Sequence, residues 1–279
     1  MTVSAPLILL TGATGFVGRH LLRALGERGC RVRPIVRDGK QERLPRDAAI
    51  ETVVASPDIF AEGVTWWAQA CRGVDTVVHA AWHAEPDSYL HSPKNQDCLS
   101  GTLRLAGGAV QAAVRRFIGI GTCFEYDLDA GRLSISTPLS PSTPYAQAKV
   151  DAFNALSVSL PGQGVAFAWC RLFYLYGDGE DARRLVSYVR ARLQAGEPAE
   201  LSSGTQIRDF LDVREAARMI VDVALGPGEG PVNICSGKPV TVREVAERVA
   251  DELGRRDLLR FGARADNPVD PPYVVGVRG

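Results

Sequence analysis

Short apolar runs alternate along this chain with longer stretches in which apolar residues recur at helical spacing. The short runs predict six strands, which are Leu7–Leu10, Val32–Val36, Thr52–Val54, Thr76–His79, Phe117–Ile120 and Val165–Cys170. The longer stretches predict seven helices, which are Val17–Arg28, Glu62–Cys71, Leu99–Val114, Tyr145–Ser157, Ala182–Ala195, Val213–Leu225 and Val242–Leu253. Regular alternation of strand and helix is typical of repeated βαβ units around a parallel sheet. Beyond about Arg171 the helices come closer together and the strands shorten, which indicates a small second lobe.

Composition narrows the expected partners. The chain has 279 residues, of which 46% are hydrophobic, so it can bury a large core and is neither disordered nor a small disulfide-stapled protein. Its 32 basic residues balance 32 acidic ones, which leaves no charge excess for nucleic acid or an anionic membrane. We therefore expect a small-molecule partner, with no nucleic acid and no membrane.

The cysteines and histidines add two further expectations. Six scattered cysteines form no CxxC pair, a usage that suits the reducing cytoplasm, and the N-terminal segment lacks the basic region of an export signal. We expect a cytoplasmic protein. The four histidines have no metal-ligand spacing, so no metal site is expected.

A glycine-spaced turn follows the first predicted strand directly. Gly12, Gly15 and Gly18 lie between the apolar run Leu7–Leu10 and an amphipathic helix. In this context the first glycine permits the tight turn, the second lets the backbone approach a pyrophosphate, and the third lets the helix pack on the strand. A tight turn with no ligand is the alternative.

This turn and the alternating pattern together predict an α/β fold, namely a doubly wound parallel Rossmann sheet with a small C-terminal α+β substrate lobe. We expect residues 1–170 to form the NAD(P)-binding domain. Residues 171–279 are expected to form the small substrate-binding lobe, interleaved with the first domain.

The end of the second strand bears on the choice between NAD and NADP. NAD-binding proteins usually place an acidic residue there, about 20 residues past the glycines, whereas this chain has Val36 followed by Arg37. A guanidinium matches a 2′-phosphate bidentately, while a carboxylate would repel it. Arg37 therefore favours NADP, with help from Arg19, although both could instead be solvated surface arginines.

A candidate catalytic group comes from two segments. Tyr145 and Lys149 are four residues apart and so share a helix face, and lysine is rare here, with four in the chain. A free phenol has a pKa of about 10 and exchanges protons poorly at neutral pH unless an ammonium stabilises its anion. We expect Lys149 to supply that charge and also to hold the nicotinamide ribose. Thr122, just after the strand Phe117–Ile120, would place a hydroxyl at the same edge of the sheet and donate to a substrate oxygen.

With these residues the chain resembles the extended short-chain dehydrogenase/reductase family, in particular its branch of nucleotide-sugar epimerases, dehydratases and 4-ketoreductases. The resemblance extends over nearly the whole chain. It rests on Thr11-Gly12-Ala-Thr-Gly15-Phe-Val-Gly18, Asp75-Thr-Val-Val-His79-Ala80-Ala81, Gly101-Thr102, Arg116-Phe117, Pro144-Tyr145 with Lys149, Arg171-Leu-Phe-Tyr-Leu-Tyr176-Gly177, and Arg208-Asp209-Phe210 with Asp212-Val213.

The resemblance implies a role for each matching position. It assigns catalysis to Thr122, Tyr145 and Lys149 and the grip on the substrate's diphosphate to Arg208, with Cys123 and Phe124 at substrate-binding positions. The expected cofactor contacts are Gly12, Thr14, Gly15, Phe16, Val17, Gly18, Arg37, Asp58, Ile59, Ala80, Ala81, Tyr145 and Lys149, of which Asp58 and Ile59 would contact the adenine. It also implies a homodimer formed through the helices Leu99–Val114 and Tyr145–Ser157.

Departures from the family pattern narrow the reaction. Dehydratases of this family have Thr-Asp-Glu where this chain has Thr122-Cys123-Phe124, so both carboxyl groups needed for water elimination are missing. C3/C5 epimerases place a cysteine at the position of Phe124, and Cys123, one residue away, is expected to pack in the core. The run from Gly121 to Asp127, together with Tyr176-Gly-Asp-Gly-Glu180 and Gln206-Ile-Arg-Asp-Phe210, resembles C4-ketoreductases of deoxysugar nucleotides, including abequose-type synthases.

The sequence therefore predicts NADPH-dependent reduction of the 4-keto group of a nucleotide-linked deoxysugar, with a nucleotide-diphosphate sugar as the partner. An NAD-dependent C4 epimerase uses the same three catalytic residues and is the first alternative. A non-catalytic NADP-binding redox sensor is the second, although such a protein would not need Thr122, Tyr145 and Lys149 together.

Overall fold

The computed structural model describes residues 5–45, 49–267 and 270–278. Its helices are α1 (Phe16–Glu27), α2 (Val64–Ala70), α3 (Lys94–Gln111), α4 (Pro144–Ser159), α5 (Leu185–Gln194), α6 (Val213–Leu225) and α7 (Val242–Leu253). Its strands are β1 (Leu7–Thr11), β2 (Arg31–Arg37), β3 (Val54–Ser56), β4 (Thr76–His79), β5 (Arg116–Thr122), β6 (Arg132–Leu133), β7 (Ala166–Leu172), β8 (Tyr174–Tyr176), β9 (Ala199–Leu201), β10 (Ile207–Arg208), β11 (Phe210–Asp212), β12 (Gly230–Ile234), β13 (Val240–Thr241), β14 (Leu259–Phe261) and β15 (Tyr273–Gly276).

The main sheet has seven strands in the order β12-β7-β5-β4-β1-β2-β3, and every neighbouring pair is parallel. The predicted doubly wound parallel sheet is thus confirmed. In such a sheet ligands bind at the carboxyl ends of the strands, where the strand order reverses beside β1. That edge holds the residues after β1, β4 and β5.

Alternation along β1 divides the core into two layers. Ile8 and Leu10 pack with α1 and α6 on one face of the sheet, while Leu7 and Leu9 pack with α2, α3 and α4 on the other. Successive side chains of a strand point to opposite faces. Because both faces are covered, β1 is buried along its whole length, which explains its uninterrupted apolar sequence.

Of the seven strands in the main sheet the prediction missed only β12, and it also missed the eight short strands that the structure describes outside that sheet; the boundaries of several predicted elements are displaced. The segment Gly230–Ile234 contains glycine, proline and asparagine, so it lacks an apolar run, yet it pairs with β7 at the edge of the sheet. The third strand starts at Val54 rather than Thr52, because residues 54–56 are the ones that pair with β2. The helix predicted from Leu99 begins at Lys94 with a polar first turn.

A smaller body packs beside the sheet. It contains α5 and α7, which share an apolar cluster with β9 and β14, and the four-stranded sheet β13-β10-β15-β6. Residues beyond 170 contribute both to this body and, through α6 and β12, to the main sheet. The boundary at residue 170 stays a prediction. No helix in the described ranges is long and apolar enough to cross a membrane.

Candidate active site

The turn between β1 and α1 is packed so closely that its glycines cannot be replaced without movement. Gly12 has φ +73°, and a Cβ there would lie 2.8 Å from the Ala81 nitrogen. A Cβ on Gly18 would lie 1.9 Å from the Gly12 carbonyl oxygen. Gly15 precedes α1 and has no side chain to cap the first N–H groups of the helix. These groups therefore fit a bound pyrophosphate, as the glycine spacing predicts.

A buried hydrogen-bond chain fixes this turn to its neighbours. The Ala81 N–H donates to the Thr11 hydroxyl (3.1 Å), which in turn contacts His79 Nδ1 (2.8 Å). On its other side His79 Nε2 contacts the Thr102 hydroxyl (2.8 Å), which donates to the Cys98 carbonyl (2.7 Å). Every donor and acceptor is matched if the imidazole is neutral with its proton on Nε2. Burial lowers the pKa of His79 to about 3, which agrees with that neutral form.

Residues predicted to contact the adenosine half of the cofactor lie at the ends of β2 and β3. Arg37 is the last residue of β2, beside Ser56 of β3, and its side chain is exposed. It forms no ion pair within the described residues. Asp58 and Ile59 follow β3, and the Asp58 carboxylate accepts the Phe60 N–H at 2.9 Å. An exposed guanidinium and an exposed carboxylate therefore lie at this corner of the sheet, and the cofactor contact of these residues stays a prediction.

A basic cleft of about 390 Å³ borders α1 beyond the glycine turn. It is lined by Arg19, Arg23 and Arg43, with Pro45 and Asp178 completing the wall. The Arg19 Nε is buried and has no hydrogen-bond partner among the described residues. Arg19 thus lies in a basic environment close to the glycine turn.

Thr122 and Tyr145 meet at the end of β5. Thr122 is the last residue of the strand, and its hydroxyl is hydrogen-bonded to the Tyr145 phenol. Tyr145 lies in the first turn of α4, which Thr143 caps by accepting the Ala146 N–H at 3.2 Å. The Tyr145 N–H donates to the Leu90 carbonyl at 3.0 Å. This bond fixes the start of α4 against the segment that follows β4.

Lys149 lies one turn further along α4 and is buried. Its ammonium donates to the Ile120 carbonyl at 2.6 Å and lies 6.0 Å from the centre of the Tyr145 ring. Burial lowers the pKa of Lys149 to about 7, and the Glu125 carboxylate opposes this shift. The predicted triplet of Thr122, Tyr145 and Lys149 is therefore brought together at one point.

One electrostatic expectation for Tyr145 was wrong. The sequence suggested that Lys149 would bring the pKa of the phenol down, but burial raises it above its ordinary value. Tyr89 and Glu125 act in the same direction, and only the hydrogen bond from Thr122 opposes them among the principal causes. Tyr145 is consequently protonated throughout the neutral range.

A buried ion pair beneath Thr122 was not predicted. Arg171 Nε lies 2.6 Å from Glu125 Oε2, and both side chains are almost completely buried. Glu125 also accepts the Thr122 N–H (2.8 Å) and the Trp169 indole N–H (3.0 Å). A Cβ on Gly121 would lie 2.4 Å from the Glu125 carboxylate, so glycine is required there. The sequence held one indication of this ion pair, namely Arg171, an arginine within an otherwise apolar strand.

The two residues after Thr122 differ in exposure. Cys123 is 2% exposed and packs with Tyr126, Phe173 and Cys235, as expected for a packing residue. Its thiol therefore faces protein, and burial raises its pKa above the ordinary value. Phe124 is partly exposed, and its ring meets Tyr174 edge-on at 6.2 Å. Of this pair, Phe124 is the one whose side chain a substrate can contact.

Arg208 lies in β10 at the boundary with the smaller body. Its guanidinium is 3% exposed, lies 2.7 Å from the Asp270 carboxylate and is 5.4 Å from the centre of the Tyr174 ring. The next residue, Asp209, accepts the N–H groups of Ser236 (2.6 Å), Gly237 (2.8 Å) and Gly276 (3.1 Å). Asp209 thus anchors Arg208 to the loop that follows β12.

The described residues contain no group of three or more His, Cys, Asp or Glu side chains arranged to hold a metal ion. The arrangement instead combines a phosphate-accepting turn, a protonated phenol beside a hydroxyl, and an ammonium at one sheet edge. These groups can bind a dinucleotide and transfer a proton to or from a neighbouring oxygen.

Comparison with known proteins agrees with this geometry. The model of the family described as "NAD dependent epimerase/dehydratase family" matches residues 8–235, which is most of the chain. The chain belongs to this family. The resemblance to the extended short-chain dehydrogenases/reductases is thereby confirmed, and the protein is an NAD(P)-dependent enzyme.

Individual relatives are distant but match over most of their length. The chain is 26% identical to the dTDP-6-deoxy-L-talose 4-dehydrogenase (NAD(+)) of Aggregatibacter actinomycetemcomitans, with 97% of this chain and 99% of that protein covered. It is 27% identical to the dTDP-6-deoxy-L-talose 4-dehydrogenase (NAD(P)(+)) of Kitasatospora kifunensis, with 88% and 79% covered. The UDP-glucose 4-epimerase of Thermotoga maritima, solved with UDP-glucose, shares the fold at a TM-score of 0.84 and 20% identity, with 98% and 90% covered.

Proposed function

We propose that this enzyme reduces the 4-keto group of a nucleotide-linked deoxysugar with NADPH. The observation that carries the proposal is the Tyr145 phenol, hydrogen-bonded to Thr122 and kept protonated by burial. Reduction of a ketone consumes one proton at the emerging alkoxide, so the enzyme needs an acid that is protonated at neutral pH. The Tyr145 phenol is protonated at neutral pH, and the Lys149 ammonium, 6.0 Å from the centre of its ring, is placed to stabilise the phenolate that remains after proton transfer.

Each residue of the triplet has a distinct task in this reaction. Thr122 donates a hydrogen bond to the carbonyl oxygen, and Tyr145 gives that oxygen its proton. Lys149 places a positive charge near the resulting phenolate and is available to the nicotinamide ribose. The glycine turn would hold the pyrophosphate of NADPH and Lys149 its nicotinamide ribose, and the bound cofactor would supply the hydride. The buried Glu125–Arg171 pair supports the Thr122 backbone from below.

The residues after Thr122 favour reduction over elimination. Loss of water from a sugar needs an acid and a base beside the departing hydroxyl, and the neighbouring positions hold a buried thiol and a phenyl ring. The relatives at 26% and 27% identity are named as 4-dehydrogenases of dTDP-6-deoxy-L-talose, and dehydrogenation at C4 is the reverse of the reduction proposed here. These observations support the ketoreductase.

NADP as the preferred cofactor rests on Arg37. The named cofactors of the two relatives differ, NAD(+) in one and NAD(P)(+) in the other. The exposed guanidinium at the end of β2, free of ion pairs within the described ranges, suits a 2′-phosphate. The cleft lined by Arg19, Arg23 and Arg43 adds positive charge beside α1.

The substrate's diphosphate is assigned to Arg208. A guanidinium can bind two phosphate oxygens at once, and this one is held by protein on the side where Tyr174 and Phe124 lie. The carboxylate of Asp270 is its partner in this structure, so the diphosphate would share or take that position.

A homodimer belongs to the same proposal. The helices α3 and α4 pack side by side, and they leave Leu103 (39%) and Val158 (77%) exposed. Two such helix pairs from two copies would form the four-helix interface that the sequence resemblance implies.

The decisive experiment combines the enzyme with NADPH and a panel of 4-keto nucleotide sugars differing in nucleotide and sugar. The proposal expects NADPH oxidation at 340 nm that is stoichiometric with a new C4–H signal in the NMR spectrum of the product. Interconversion of C4 epimers with catalytic NAD and no net oxidation would instead identify an epimerase. Tight NADPH binding without turnover on any member of the panel would favour the redox sensor.

A further inference from the structure

Trp82 lies directly over the ammonium of Lys149. The Lys149 nitrogen is 3.7 Å from the centre of the indole, a distance at which the ring's negative face attracts a cation. Trp82 belongs to the segment that follows β4, far from Lys149 in the chain. The indole also meets the Tyr145 ring edge-on at 6.4 Å. It therefore contacts both the acid and its cation.

Hydrogen bonds hold the indole in this orientation. Its Nε1–H donates to Asn95 Oδ1 at 2.8 Å. The Asn95 amide nitrogen donates in turn to the carbonyls of Tyr89 (2.7 Å) and Ser92 (2.9 Å). Asn95 is 1% exposed, so these bonds lie out of water. The ring position is thus set by a fixed polar contact in addition to packing.

The surroundings of Lys149 contain few groups that favour a positive charge. Burial lowers the pKa of the ammonium, and the facing titratable groups are Glu125 after β5, Cys98 on α3, His79 on β4 and Tyr145 on its own helix. Glu125 is already bound to Arg171. His79 is neutral, and burial raises the pKa of Cys98 to about 11, so its thiol is neutral too. The second nearby indole, Trp169, is more distant at 5.8 Å.

We propose that Trp82 is a positioning residue for Lys149. Its indole face holds the ammonium against the Ile120 carbonyl and favours the charged form of the lysine. The consequence for turnover rests on the proposed function, in which that charge supports the Tyr145 phenolate. The effect of Trp82 on the charge of Lys149 does not rest on the proposed function, and it can be measured without substrate.

The composition makes this measurement direct. Lys149 is one of four lysines, the others being Lys40, Lys94 and Lys238, so a protein labelled with 13Cε-lysine gives four signals. Lys149→Arg identifies the signal of interest. Titration of the substrate-free enzyme from pH 5 to 10 then gives the Lys149 pKa in wild type, Trp82→Leu and Trp82→Phe, with Trp66→Leu on α2 as the control.

The expected result is a lower Lys149 pKa when the π face is removed. Trp82→Leu keeps apolar volume but has no ring, so the pKa should fall by about 0.5 to 1.5 pH units. In Trp82→Phe the Lys149 pKa should fall by less, because phenylalanine has a weaker π face. In Trp66→Leu it should be unchanged. An unchanged Lys149 pKa in both Trp82 variants would overturn the proposal. So would a rise, which would mean that the indole acts by excluding water.

The pH dependence of kcat separates this inference from the proposed function. If turnover requires the charged form of Lys149, activity is lost as pH rises through the Lys149 pKa. Trp82→Leu should therefore shift the alkaline limb of the kcat profile to lower pH by the same amount. Saturating cofactor and 4-keto nucleotide sugar remove binding effects. If the NMR pKa falls while the limb stays in place, the contact between Trp82 and Lys149 stands and the catalytic assignment of Lys149 fails.

Discussion

Tyr145 combines two properties that a ketone-reducing acid needs. Burial keeps its phenol protonated, and the Thr122 hydroxyl holds the phenol oxygen at the end of β5. Lys149 lies close enough to respond to a phenolate but is bonded to the Ile120 carbonyl before one forms. The lysine therefore favours the product of proton transfer, and the resting phenol stays an acid.

Arg37 provides a test of the NADP preference. Arg37→Ala should weaken NADPH binding by about ten- to a hundred-fold, because a charge-assisted phosphate contact is worth about 1.5–3 kcal/mol. NADH binding should change little, because NADH lacks the 2′-phosphate. Both dissociation constants can be measured by quenching of tryptophan fluorescence.

Arg31→Ala is the matched control, since Arg31 is an exposed arginine at the opposite end of β2 with two long contacts, a 3.6 Å ion pair to Glu51 and a 3.4 Å hydrogen bond to the Ala5 carbonyl. Equal losses for NADPH and NADH in Arg37→Ala would contradict the NADP assignment. So would wild-type affinity for NADH as high as for NADPH.

Elements whose apolar residues recur with a clear strand or helix period could be predicted from the sequence. Elements whose ends depend on contacts between residues far apart in the chain could not. The order β1, glycine turn, α1 could be read because each part has a local signature. The start of α3 could not, because Asn95 is buried in its polar first turn by bonds to the preceding loop. The Glu125–Arg171 pair and the Trp82–Lys149 contact join segments that only the tertiary fold brings together.

Gly18 tests how tightly the β1–α1 turn is built. Gly18→Ala should destabilise the protein by about 1–3 kcal/mol or more, because the new methyl group would overlap the backbone of Gly12 and neither side can yield cheaply. Urea unfolding measures the loss.

Gly162→Ala is the control, since a Cβ there meets nothing within 4 Å and should change stability by less than about 0.5 kcal/mol. Equal stability of the two variants would show that the turn is looser than this packing indicates.

The hydrogen-bond chain through His79 predicts a pH dependence of stability. Its pKa is about 3 in the folded chain and 6.5 when unfolded, so below pH 6.5 the unfolded chain binds a proton that the folded chain does not. The free energy of unfolding should therefore fall as pH drops, approaching about 1.4 kcal/mol per pH unit from this group.

Urea unfolding of wild type and His79→Asn between pH 7 and pH 4.5 checks this. The variant should be less stable at pH 7, because it breaks the chain, but its stability should depend less steeply on pH. Parallel pH profiles for the two proteins would contradict a neutral buried His79.

On the scale of the whole molecule, the site joins the main sheet to the smaller body. Thr122, Tyr145 and Lys149 belong to the sheet side, whereas Arg208 belongs to β10. Asp209 links the two by binding backbone N–H groups after β12 and in β15. The position of Arg208 relative to the Tyr145 phenol is therefore set by this junction, which the sequence did not reveal because β12 has no apolar run.

Arg208→Ala tests whether Arg208 binds the nucleotide sugar and not the cofactor. KM for the nucleotide sugar should rise by about ten- to a hundred-fold, as expected for losing a charge-assisted contact, and the dissociation constant of NADPH should stay within about two-fold, well below that expected loss. Steady-state kinetics and cofactor titration give both values. Arg208→Lys keeps the positive charge but cannot bind two phosphate oxygens at once, so its KM should lie between those of wild type and Arg208→Ala. A loss confined to cofactor affinity would place Arg208 in the other half of the site.

The central claim is that Tyr145 is the acid that protonates the emerging alkoxide. Its most direct test is single-turnover oxidation of NADPH by a 4-keto nucleotide sugar, comparing wild type with Tyr145→Phe at matched saturation. Loss of the phenol oxygen should slow the step by about 10²–10⁴ and leave NADPH binding and unfolding free energy near wild type. A Tyr145→Phe rate within about three-fold of wild type, far inside that expected loss, would contradict the assignment.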